Sequence, residues 1–175
     1  RIHGYMAQGG SMINTIPDFA RLRYGARARN GADLERVLER MINCARGGAL
    51  ATGCRFEWHH HVKPYDNLIY NTPMLDAFAG NLDLLGESYI EYVPVSISTD
   101  MGNISHVVPA IHPIIGYGRP DLMLHTRPFA EASCGEPGFN SMILAAKSMA
   151  MTCLDLLYND ELLGRVKAEF GKVKS

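Results

Sequence analysis

The chain has 175 residues, a formal net charge of −1 at pH 7, 47% hydrophobic residues and 20% charged residues. That balance is ordinary for a soluble globular protein of one domain or two small ones. It supplies no electrostatic reason to expect nucleic acid or an anionic membrane as a partner.

The first ten residues lack the apolar core of a signal peptide. Four cysteines, Cys44, Cys54, Cys134 and Cys153, form no Cys-x-x-Cys pair, which argues against a zinc knuckle. They read as reduced thiols of a cytoplasmic protein, with Cys44 and Cys153 on core-facing helical positions.

Ile2 to Ala7 reads as a short strand, punctuated by Gly9-Gly10. From Phe19 to Ala28, Ala20, Leu22, Tyr24 and Ala26 alternate with Arg21, Arg23 and Arg27, the period of a strand with one apolar face. Asn30 is a candidate N-cap with Asp33 three positions on. Leu34, Val37, Leu38, Met41 and Ala45 then carry a helix to about Leu50, which Gly53 ends. Alternation resumes over Cys54 to Val62, predicting a third strand. The order strand, strand, helix, strand predicts a ferredoxin-like βαββαβ unit lacking its first strand and helix, so a complete unit would need more chain before Arg1.

The pattern changes near His61 to Tyr65, dividing the chain into 1–62 and 63–175. Thr72 to Gly86 predicts a helix with Met74, Leu75, Phe78, Leu82 and Leu85 inward. Short buried strands are expected at Glu91–Ser96 and Ala110–Tyr117. A long helix over Gly138–Asn159 is expected to bury Met142, Ile143, Ala146, Met149, Cys153 and Leu157. Lys147, Ser148, Thr152 and Asp155 interrupt its apolar run and argue against a membrane span. A last amphipathic helix covers Asp160–Val173. Helices alternating with buried strands indicate an α/β layer.

Chemistry-bearing residues gather in three places: Asn14-Thr15-Ile16-Pro17-Asp18, Ser98-Thr99-Asp100-Met101-Gly102-Asn103, and Leu124-His125-Thr126-Arg127-Pro128-Phe129. Taken alone, the second is a turn and helix cap, and His125 is a loop imidazole that suits zinc or manganese. His59-His60-His61 would point alternately to opposite faces of a strand, so only His59 and His61 could share a metal. A surface strand end is the preferred reading there. His106, His112, Glu131 and Glu136 receive no role.

Together these segments resemble the zinc-dependent aminoacylase and aminobenzoyl-glutamate hydrolase group of metallopeptidases. The resemblance runs over the whole chain but matches only the C-terminal part of such an enzyme. It implies a mixed α/β architecture: the second half of a lid over 1–62, then the C-terminal portion of a zinc-peptidase domain over 63–175. It implies that His125 is the last ligand of a site for two divalent ions, zinc or manganese, and that the Thr99-Asp100 loop lines the cleft.

In the lid, His3-Gly4 would donate a hydrogen bond to the tetrahedral intermediate, and Asn14 and Arg27 would hold the substrate's carboxylate. The implied reaction is hydrolysis of an amide bond in an N-acyl amino acid, aminobenzoyl-glutamate or a small dipeptide. The implied assembly is a homodimer through the lid, at Ile2–Ala7 or the helix starting near Asp33.

The departure from the family is large. No His-x-Asp and no Glu-Glu pair occurs in the chain, so the other ligands and the general base are missing. Two other readings therefore stand beside the enzyme: a non-catalytic dimerisation or interaction module, and a metal binder built on His59 and His61.

Overall fold

A computed structural model describes residues 1–90 and 98–173. It resolves into two compact units, Arg1–Asn67 and Leu68–Ser175. As the alternation of helical and strand patterns predicted, helix and strand are mixed.

The first unit starts with an antiparallel pair, β1 (Ile2–Gln8) and β2 (Arg21–Ala26). Ile2 pairs with Ala26 and Met6 with Leu22, with an irregularity between Met6 and Gln8. Odd residues share one face and even residues the other. The apolar residues Ile2, Met6, Leu22 and Tyr24 thus lie on one face, and all four stay exposed.

Helix α1 (Gly31–Thr52) begins and ends where the capping chemistry requires. The Asn30 side chain accepts a hydrogen bond from the Asp33 amide at 2.8 Å. Gly53 closes the helix in the left-handed conformation at φ 69°, which costs glycine no Cβ clash.

The third strand expected over Cys54–Val62 does not form. Alternation marks a segment able to be a strand, but a strand also needs a ladder partner, and among the described residues only β1 and β2 pair.

The second unit contains α2 (Thr72–Leu84), α3 (Met101–Ser105), α4 (Arg127–Ser133), α5 (Glu136–Tyr158) and α6 (Asp160–Val173). Helices α2, α5 and α6 pack on one another, and α4 packs on α5. Their core holds Phe78, Leu82, Leu162 and Val166, with Ala110 also buried. Of the two strands expected here, Glu91–Ser96 lies outside the described residues. Ala110–Tyr117 forms no strand; the segment is tied to the start of α2 by Asn71 N–H, which donates to the Ala110 carbonyl at 3.3 Å.

The orientation of α5 is the reverse of the sequence expectation. Met142, Ile143, Met149 and Leu157 are 50 to 74% exposed, and Ala146 and Cys153 are also exposed. Cys44, expected in the core of α1, is exposed as well. The packed face of α5 carries Ser148, fully buried, and Thr152, at 5% exposure.

Each hydroxyl is satisfied within the helix: Ser148 donates to Leu144 O at 2.9 Å and Thr152 to Ser148 O at 2.8 Å. Small self-satisfied hydroxyls can meet neighbouring helices closely without an unpaired polar atom. The expected polar interruption is therefore the contact face, and the apolar stripe lies open. By length and composition, α5 is also long and apolar enough to cross a membrane.

Candidate functional site

In the first unit, β1 carries His3 directly opposite Gly25 of β2. Arg27 follows β2 and closes the pair, its N–H donating to the Arg1 carbonyl at 2.9 Å. His3 and Arg27 have the same parity and therefore share one sheet face at the open end of the hairpin. Arg1, Tyr5 and Arg23 share that parity, so this face is rich in cationic groups. Guanidinium forks on such a face suit a carboxylate, which they can bind with two parallel hydrogen bonds.

Asn14 sits in a turn of the β1–β2 connection, at the opposite end of the hairpin. The strand length from His3 to Gln8 alone is roughly 17 Å at the usual rise per residue. The structure therefore brings His3 and Arg27 together and keeps Asn14 apart from them within one copy. A shallow cleft of about 400 Å³ in the connection is lined by Gln8, Ser11, Thr15, Asp18 and Phe19, among others, and not by Asn14. Arg21 lies over the Phe19 ring at 5.2 Å, a cation–π contact.

In the second unit, Thr99 and Asp100 form the entry to α3. The Thr99 hydroxyl accepts from Met101 N–H at 3.3 Å, and the Thr99 carbonyl accepts from Gly102 N–H at 3.1 Å. Asp100 stands at the cap position, but its side chain makes no capping bond. Its carboxylate lies 3.4 Å from the Thr99 hydroxyl.

His125 is the one described non-glycine residue in the left-handed region, at φ 63°. Such a conformation costs an L-residue about 1–2 kcal/mol, and it persists only where the surroundings impose it. Those surroundings are visible. Thr126 caps α4, its hydroxyl accepting from Phe129 N–H at 3.4 Å and donating to the Met123 carbonyl at 2.7 Å. Pro128 occupies the first turn of α4, where its fixed φ suits a helix start. On the N-terminal side, Arg119 grips Asp121 through two hydrogen bonds of 2.9 and 2.7 Å.

The sequence reading missed the residues that hold this segment. Tyr117 stacks on Phe129 at 5.0 Å with an interplanar angle of 24°. Its hydroxyl meets Ser133 Oγ at 3.1 Å. Ser141 of α5 reaches the Gly116 carbonyl at 2.9 Å. The usable signal was the pair of aromatics flanking the Gly-Arg-Pro-Asp turn.

A metal needs several converging donors. Among the described residues no group of three or more His, Cys, Asp or Glu side chains comes together. The donor set among the described residues therefore does not fit a complete metal centre. The histidine run fares no better: it lies outside any strand, and His60 packs edge-on to Trp58 at 5.2 Å.

No protein-family model matches the chain. Over 174 residues, or 97% of its length, the chain is 36% identical to an Xaa-Arg dipeptidase of Mus musculus. It is 33% identical, over the same share, to an Xaa-Arg dipeptidase of Homo sapiens. The chain spans 40% of the length of each relative. Both relatives carry a dipeptidase name, so the likeness supports kinship with peptidases and does not single out the aminoacylase branch.

Proposed function

We propose that the chain is the later part of a metal-dependent dipeptidase that hydrolyses the amide bond next to a free carboxylate. The observation that carries this reading is the likeness to two dipeptidases over 97% of the chain. The sheet face that joins His3 to Arg27 gives it a physical basis. Arg27 pairs bidentately with the carboxylate of the C-terminal residue. His3 donates an N–H to the oxygen that becomes negative as the tetrahedral intermediate forms. Asn14, at the far end of the hairpin, would meet such a substrate only from the second copy of a dimer, and the Thr99-Asp100 turn would line a cleft of its own unit.

His125 would be one ligand of a centre for two zinc or manganese ions whose other ligands lie outside this chain. The steps assigned to the chain's own residues are accordingly binding and orientation. A homodimer through the free edge of β1 and a cytoplasmic setting for the four free thiols belong to the same proposal. The open stripe on α5 would face the rest of the longer polypeptide.

Small dipeptides are favoured over N-acyl amino acids and aminobenzoyl-glutamate because both relatives are named for dipeptides. The alternative is a non-catalytic dimerisation or interaction module.

The test uses protein expressed from the full coding sequence and a panel of Xaa-Arg dipeptides with free or amidated C-termini. The reading expects free-acid dipeptides to be cleaved, amidated ones to be spared, and Arg27→Ala to raise KM. Equal cleavage of both forms, or none of either, would overturn it.

A further inference from the structure

We propose that Gly25 is a positioning residue for the His3 imidazole, an inference that rests on the role given to His3 above. His3 and Gly25 face each other across the β1–β2 ladder. A Cβ built on Gly25 would lie 3.0 Å from His3 Nε2 and 3.5 Å from both His3 Cδ2 and Cε1. All three nearest atoms belong to that one ring, so the imidazole edge occupies the space a side chain at position 25 would fill.

Backbone geometry does not explain the glycine. The described glycines with positive φ are Gly10, Gly53, Gly86 and Gly118, and Gly25 is not among them. Glycine weakens a strand interior, and in that setting it commonly marks a place where another group approaches closely.

The next rung provides a contrast. Gly4 faces Tyr24, and a Cβ there would come within 2.5 Å of the Arg23 carbonyl oxygen as well as the Tyr24 ring. A Cβ at Gly4 would thus collide with the sheet backbone, whereas the three atoms nearest a Cβ at Gly25 are those of the imidazole. With the ring lying on bare backbone, its N–H directions are set by the strand. A methyl group at position 25 would lift the ring by a few tenths of an ångström or rotate it away. Displacements of that order at a reacting centre change rates strongly.

The experiment compares wild type, Gly25→Ala, His3→Ala and the double variant in the full-length protein. Readouts are kcat and KM on an Xaa-Arg dipeptide, thermal melting, and the imidazole 1H–15N spectrum. In Gly25→Ala the His3 imidazole signals shift, and kcat falls between roughly tenfold and a hundredfold with KM unchanged. In the His3→Ala background the same substitution has no further effect on kcat.

Unmoved His3 signals in Gly25→Ala would overturn the inference, as would an equal loss of kcat in both backgrounds. If Gly25→Ala melts at a lower temperature, restoration in the double variant supports the inference and persistence overturns it. Should His3→Ala retain full kcat, the catalytic reading of His3 fails, while the imidazole spectrum still decides whether Gly25 positions the ring.

Discussion

The side-chain amide of Asn71 donates a hydrogen bond to the backbone carbonyl of Val166, 3.0 Å away and 95 residues further along the chain. The same side chain accepts from Met74 N–H at 3.3 Å and so caps α2. Beside it, Glu169 of α6 accepts from Thr72 N–H at 2.7 Å. One buried residue therefore both starts α2 and fastens it to α6.

Replacing Asn71 by Ala removes the cap and the cross-helix bond together. A lost cap costs about 1 kcal/mol and a lost buried hydrogen bond about as much again, so a destabilisation of about 2 kcal/mol is expected. Asn71→Asp keeps the capping acceptor but turns an oxygen toward the Val166 carbonyl, and it should destabilise too. Chemical denaturation checks both. A change in Asn71→Ala within experimental error would mean that α2 and α6 are held by apolar packing alone.

The reversed face of α5 separates two kinds of substitution. Ser148 is fully buried, so Ser148→Leu should overpack the α2–α5–α6 contact and destabilise by about 1–3 kcal/mol. Met149→Gln, one residue along on the open face, should leave stability within about 0.5 kcal/mol. Thermal melts read both effects. The opposite ranking would restore the face the hydrophobic pattern suggests.

That reversal also shows what was legible in the sequence and what was not. Local signals held where the deciding physics is local. Asn30 and Gly53 bound α1 through their own hydrogen bonds and backbone angles, period-two alternation marked β2, and Gly9-Gly10 marked the end of β1. Helices α2, α5 and α6 lie close to their expected spans, and Phe78 and Leu82 are buried as expected.

Reading failed where a partner decides. The segments 54–62 and 110–117 have strand-like composition but no neighbouring strand among the described residues. On α5, hydrophobicity says which face prefers burial, whereas packing depends on what the other helices offer. Asn81 of α2 offers an amide that reaches Thr152 Oγ1 at 3.2 Å and Asp155 at 2.7 Å, so the polar side of α5 turns inward. The cross-strand relation of His3 and Gly25 depends on register, which one sequence does not disclose.

His125 allows its structural and chemical roles to be separated. Glycine adopts φ near +63° without strain, so His125→Gly should leave stability unchanged or raise it by up to about 1 kcal/mol. If the imidazole is a metal ligand, the same variant loses the metal-dependent activity of the full-length protein. Calorimetry and a dipeptide assay on one preparation check both halves. A destabilised variant with full activity would make His125 a packing residue.

The ion pair before His125 sets a pH expectation. The hydrogen bond from Arg119, more than its charge, holds the Asp121 carboxyl below the usual carboxylate range and outweighs the opposing effect of desolvation. The pair holds Arg119 above its ordinary value in turn. Because the carboxylate pKa is depressed in the fold, its contribution is present above the unfolded value and is lost as pH falls through the folded one. Both side chains are more than half exposed, so salt should weaken the effect. Carbon-detected NMR should find Asp121 titrating below a free aspartate, and Arg119→Met should return it to the ordinary range. Ordinary titration of Asp121 in the wild type would show that the pair does not persist in solution.

The most direct test of the central claim is the rate of arginine release from an Xaa-Arg dipeptide by the full-length protein. It would be measured before and after chelation, after zinc or manganese is returned, and in His125→Gly. The account predicts hydrolysis that chelation abolishes, that the metal restores, and that His125→Gly lacks even with metal present. Hydrolysis indifferent to both chelation and His125→Gly would contradict it.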